Sequence, residues 1–65
     1  MSDRAKRISE LVVEIVWHNA MMERYRAASG KIAESDILTA TNYYKNMIET
    51  RRAELETLLT ELERP

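Results

Sequence analysis

The chain has 65 residues, of which 45% are hydrophobic and 32% charged, with one glycine, one proline and no cysteine. Ordering so short a chain costs roughly 100 kcal/mol of conformational entropy, at about 1.5 kcal/mol per residue, and the apolar burial open to one copy offsets this only barely. The composition excludes a disulfide framework and a cysteine nucleophile, leaves a single histidine for any metal site, and points to self-association as the source of further core.

The charge is balanced, with 10 Lys and Arg against 11 Asp and Glu and a formal net charge of -1. Phosphate affinity comes mostly from counterion release by a basic excess or a basic face, so nucleic acid is not an expected partner. The start of the chain is charged, and the apolar run after it is broken by Glu14, His18 and Asn19. It therefore reads as neither a signal peptide nor a membrane span, and a cytoplasmic location is expected.

The first predicted element is a helix over about residues 3 to 29, capped by Ser2 or Asp3. Ile8, Leu11, Val12, Ile15, Met22 and Tyr25 form its expected inward face, with Asn19 between them and His18 at the edge. A second apolar group, Val13, Val16, Trp17 and Ala20, points elsewhere, so the middle of this helix is apolar nearly all round. One partner helix cannot cover it, and a helix apolar on most sides is buried on most sides. That favours a symmetric assembly with this helix at the centre.

The break follows at about residues 30 to 35. Gly30 is the residue type favoured just past a helix C-terminus, and Ser35 or Asp36 is the expected N-cap of the next helix. This second helix spans about residues 36 to 63, closed by Pro65. Ile37, Thr41, Tyr44, Ile48, Arg51, Leu55, Leu58 and Leu62 alternate four and three residues apart, which is a heptad seam. Ala40, Met47 and Leu59 widen it, and Lys45, Glu49, Arg52 and Glu56 form a charged flank. The expected fold is therefore all-α: one domain, residues 1–65, folded as a two-helix antiparallel hairpin that assembles into a homodimeric four-helix bundle or a higher helical oligomer.

Three groups of residues are candidates for function. In such a hairpin, positions whose numbers sum to about 65 lie level, which sets Arg51, the only charge in the seam, beside Glu14. With His18 one turn from Glu14, these residues predict a half-buried polar layer that fixes register. A second group, Arg24, Arg26, Lys31, Tyr43, Tyr44 and Lys45 near the turn together with Arg52, combines cations with aromatic faces, as a planar anion such as a nucleotide requires. The third is a candidate partner face. Thr39, Asn42, Asn46, Thr50 and Thr57 make a stripe of small uncharged residues on the far side of the second helix, and Trp17 and Met21 are candidate anchors on the first.

The chain carries no Gly-rich phosphate loop, nucleophile–base pair or metal-ligand spacing, so neither catalysis nor a cofactor nor a metal is expected. The expected function is that of a non-enzymatic homo-oligomeric helical protein that binds and modulates another macromolecule, a protein, as a regulator, inhibitor or adaptor. The alternative is a small-ligand protein holding an anionic, nucleotide-like molecule between protomers.

Overall fold

The computed structural model describes residues 2–64, which form helix α1, Asp3–Ala27, and helix α2, Glu34–Glu63. The expected closing residue, Pro65, lies outside the described residues. The two helices pack against each other as an antiparallel hairpin extending 51 × 18 × 13 Å. No helix among the described residues is long and apolar enough to cross a membrane.

The α1 N-terminus is capped as its sequence requires. Ser2 has extended backbone, its hydroxyl accepts from the Ala5 N–H at 3.1 Å, and Asp3 places a negative charge at the positive end of the helix dipole. The two boundaries at the turn differ from the expectation by two residues each, and α2 ends at Glu63 as expected. α1 ends at Ala27, not residue 29, because Ala28-Ser29-Gly30-Lys31 closes a turn in which the Lys31 N–H donates to the Ala28 carbonyl at 2.8 Å. Gly30 is the third residue of that turn, at φ +87°, so it serves the turn and not the helix cap.

α2 begins at Glu34, not residue 36, and its N-cap is Ala33, which has no side chain able to accept from the first-turn amides. Ser35 and Asp36 thus lie inside the first turn. Glu34 and Asp36 still complement the dipole there, and the Ser29 hydroxyl donates to Glu34 at 3.1 Å, tying the loop to the new helix.

The core is one seam. Leu11, Met22, Ile37 and Ile48 are buried, and Leu11 is 0% exposed. Half-buried Ile8, Ile15, His18 and Tyr25 continue the line on α1, and Thr41, Tyr44, Arg51, Leu55 and Leu58 continue it on α2. The inward line of α1 is thus Ile8, Leu11, Ile15, His18, Met22 and Tyr25, a heptad alternation of three and four residues. His18 sits within it and not at its edge. Val12, expected on this face, is 46% exposed, and Asn19 is exposed too. The reason is geometric: each step along a helix rotates the side chain by about 100°, so a single neighbour covers a narrow stripe and Val12 falls beyond it. On α2 the seam holds as far as Leu58, and Leu62 and Leu59 are exposed where α2 runs out beside the start of α1.

The uncapped start of α2 yields a direct prediction. Ala33 already has the extended backbone of an N-cap, φ -61° and ψ 138°. Replacing it by Ser or Asp should stabilise the fold by about 1 kcal/mol, measured by urea titration followed by circular dichroism. Unchanged stability would mean that the orphan amides are already satisfied by other groups.

Candidate functional site

The charged residues of the helix interface arise from the antiparallel register. Arg51 projects from the α2 seam toward α1, and its Nε donates to Glu14 Oε2 at 2.9 Å. The side chains are 26% and 37% exposed, so the pair is shielded but in reach of water. Arg51 Nη1 also points back to the Met47 carbonyl, at 3.5 Å. The expected meeting of Arg51 with Glu14 is thus present within one chain.

A larger ladder surrounds this pair. Arg7 grips Glu54 with two hydrogen bonds, Nε to Oε2 at 2.7 Å and Nη2 to Oε1 at 3.0 Å. Its third nitrogen, Nη1, donates to Glu10 at 3.3 Å and lies 3.9 Å from Glu14. Glu14 therefore stands between two arginines, and Glu54, Arg7, Glu14 and Arg51 form one chain of alternating charge crossing from α2 to α1 and back. Arg4 and Glu61, 3.5 Å apart, extend the edge toward the open end of the hairpin. Arg7, Glu10 and Glu54 were not among the sequence candidates. The register that pairs residue 14 with 51 also brings 4 beside 61 and 7 close to 54. Those charges lie outside the heptad seam, where nothing in the spacing sets them apart from a solvated flank.

The fork of Arg7 shifts both partners. The hydrogen bond to Glu54 raises the Arg7 guanidinium above its ordinary value against partial desolvation, with further help from Glu10 and the charges of Glu54 and Glu14. In return the Arg7 hydrogen bond holds the Glu54 carboxyl below the usual carboxylate range, aided by the positive charges of Arg7 and Arg51.

His18 takes a different place from the one expected. No hydrogen bond joins it to Glu14 or Arg51; its ring lies 5.7 Å from that of Tyr44, and its Nε2 is buried without a hydrogen-bond partner among the described residues. Tyr44 is also 6.1 Å from Tyr25 and meets Tyr43 edge-on at 5.3 Å. The polar layer is thus split: Glu14 and Arg51 belong to the ion-pair ladder, and His18 belongs to an aromatic cluster nearer the turn. Among the described residues no three His, Cys, Asp or Glu side chains are grouped to hold a metal ion.

Among the residues expected to contact an anion, Arg26 donates to Glu23 at 2.8 Å, Tyr44 has the rings of His18, Tyr25 and Tyr43 about it, and Arg24, Lys31, Lys45 and Arg52 are exposed. The indentations beside Arg24 are lined by Val16, Trp17, Ala20 and Met21, and by Met21, Tyr25, Ala28 and Ile32, so neither gathers a second cation.

The candidate partner residues are on the surface. Thr39, Asn42, Asn46, Thr50 and Thr57 are all exposed on α2. The hydroxyls of Thr39, Thr50 and Thr57 donate to the carbonyls of Ser35, Asn46 and Ala53 one turn back, at 2.9, 3.0 and 3.1 Å. With each hydroxyl proton used on the helix itself, these threonines offer mainly methyl groups outward, and the stripe is less polar than its composition. On α1, Trp17 is 70% exposed and Val16 59%, and Val13 and Val12 beside them are also open to solvent. Trp17 and Met21 border an open indentation of about 300 Å³ with Val16, Ala20 and Arg24, all from α1. No protein-family model matches the chain, and neither a curated protein nor a solved structure matches it.

Two measurements follow from the ladder. In a cycle of Arg51→Met, Glu14→Leu and the double variant, Glu14→Leu strands the half-buried Arg51 and Arg51→Met leaves Glu14 only its longer contact with Arg7, so the double variant should be more stable than additivity predicts by about 0.5–1 kcal/mol. Strict additivity in urea melts would show that the two side chains do not act together. The second concerns acid. A carboxyl whose folded pKa lies below its unfolded value adds stability that is present above the unfolded pKa and is lost as pH falls through the folded one. Glu54 is such a group. Glu54→Gln should therefore lower the melting temperature at neutral pH and converge with the parent protein in acid below the carboxylate range. Parallel melting curves across the whole pH series would contradict the Arg7 fork.

Proposed function

We propose that this chain is a non-enzymatic helical interaction protein that self-associates and binds a further macromolecule, a protein. The observation that carries the reading is the uncovered apolar side of α1, where Val12, Val13, Val16 and Trp17 stand exposed together in the middle of a helix whose other side holds the core. Soluble monomers rarely expose a continuous apolar patch of this kind, and exposed tryptophan is a typical interface anchor.

The total surface supports the same reading. The accessible area is 5128 Å² for a chain of 7.6 kDa. A compact monomer of that mass exposes roughly 4300 Å², and the excess, roughly 800 Å², is the size of one side of a standard protein interface. A hairpin with four buried side chains gains core by covering this surface. The ladder of ion pairs supports a binding role over a catalytic one, since its carboxylates are already engaged by arginines.

Self-association gives a thermal midpoint that rises with protein concentration, because folding and assembly are then coupled. Melts and sedimentation runs from micromolar to millimolar protein should show this rise together with a mass above that of one chain. Val16→Lys should weaken association at least tenfold. A folded monomer throughout, with a midpoint independent of concentration, would overturn the proposal. For the further partner, Thr50→Arg should abolish capture by the α2 stripe and leave the oligomer intact.

A further inference from the structure

We infer that the occupant of the exposed α1 face is α1 of a second copy, running antiparallel, with Trp17 beside the two-fold axis. The inference deepens the proposal of self-association and rests on it. It starts from the spacing of what α1 leaves uncovered. Ser9, Val13, Val16 and Ala20 are exposed and follow one another by four, three and four residues, the spacing of a helix–helix seam, on the side away from Leu11 and Met22. All four are small, so a second helix can approach closely.

Along one edge of this seam stand Glu10, Trp17 and Arg24, one heptad apart and therefore in line. The edge is antisymmetric: an acid at one end, a base at the other and the tryptophan midway. Both charges are open to a new partner. Arg24 makes no ion pair among the described residues, and Glu10 is held only through Oε2, by the Arg7 nitrogen left over from the Glu54 fork. Of the other charged side chains near the patch, Glu14 is already taken by Arg51 and Glu23, one step past Ala20, by Arg26, while Lys6 stands exposed one step before Ser9.

The arrangement selects an orientation. If two α1 helices pair antiparallel about Trp17, Glu10 of each copy comes level with Arg24 of the other, which makes two equivalent ion pairs flanking a Trp17–Trp17 contact. In the same register Val13 comes within one residue of level with Ala20 of the second copy. A parallel pair would instead set Glu10 against Glu10 and Arg24 against Arg24, and like charges across an interface are penalised. The area is adequate. Val12, Val13, Val16 and Trp17 together expose on the order of 400 Å² of apolar surface per copy, and with the flanking residues of both copies the buried total reaches about 1,200 Å², the lower end of stable interfaces. Because the exposed side of α1 points away from α2, the product is a four-helix layer with the two α1 helices inside and the two α2 helices outside. Its outer surfaces carry the threonine stripes.

The chain has no cysteine, so engineered disulfides report the geometry without background. Under mild oxidation, a mixture of Val13→Cys and Ala20→Cys proteins should cross-link the two variants to each other, and neither variant should cross-link efficiently to itself. In sedimentation equilibrium, Glu10→Arg and Arg24→Glu should each weaken self-association by about tenfold or more, because each creates two like-charged contacts. An equimolar mixture of the two should recover wild-type affinity as a heterodimer, since both cross-chain pairs are then opposite in charge; this recovery separates loss of pairing from loss of folding. A Val13→Cys protein that cross-links to itself, or a dimer whose strength is unchanged in both charge variants, overturns the antiparallel arrangement and leaves self-association standing. A protein that stays monomeric at millimolar concentration overturns both.

Discussion

The controlling constraint on this molecule is that a two-helix hairpin has only one internal interface. Each helix can bury one stripe, and a stripe covers little more than a quarter of a helix circumference. The sequence of α2 comes nearer that limit: its seam runs from Ile37 to Leu58 and its far side is filled with threonine and asparagine, although Leu38 and Tyr43 stand exposed beside it. That of α1 does not. Its central turns carry apolar residues on both sides, and the hairpin leaves Val13, Val16 and Trp17 in water, at a cost of about 25 cal/mol per Å² of apolar surface. The difference between the helices, more than any single residue, is what gives the protein a surface to use.

The polar residues at the interface follow from the same geometry. Arg51 occupies a seam position because its guanidinium can leave the seam sideways and meet Glu14, and Arg7 reaches across to Glu54 from the same edge. Such pairs, open to solvent, contribute modestly to stability. Their greater effect is on register. A shift of α2 by one turn would leave Arg51 without its acceptor and would separate the two-pronged contact of Arg7 with Glu54, so the ladder selects one alignment of two helices whose apolar seams alone would tolerate several.

Toward the turn, aromatic rings take over from charges. His18, Tyr25 and Tyr44 fill the space between the helices where side chains longer than leucine are needed, and Tyr43 closes the cluster from outside. The Nε2 of His18 is buried beside the ring of Tyr44 without a hydrogen-bond partner among the described residues. The turn beyond it depends on Gly30, whose positive φ only a residue without a Cβ adopts freely.

Periodicity, the lone glycine and the absence of any β pattern determine by themselves that the chain is two helices folded back on each other, with Leu11, Met22, Ile37 and Ile48 inside and Arg51 level with Glu14. These properties are local, or follow from register once the turn is placed, and so they are legible in a linear string. Tertiary structure decided what depends on direction and reach. It put Val12 outside and His18 inside, because two residues both adjacent to a stripe differ only in which way the partner helix leans. It drew Arg7 and Glu54 into the ladder, because long flexible side chains choose among several acceptors by distance in space. It ended α1 at Ala27 and started α2 at Glu34, because turn hydrogen bonds competed successfully with helix caps.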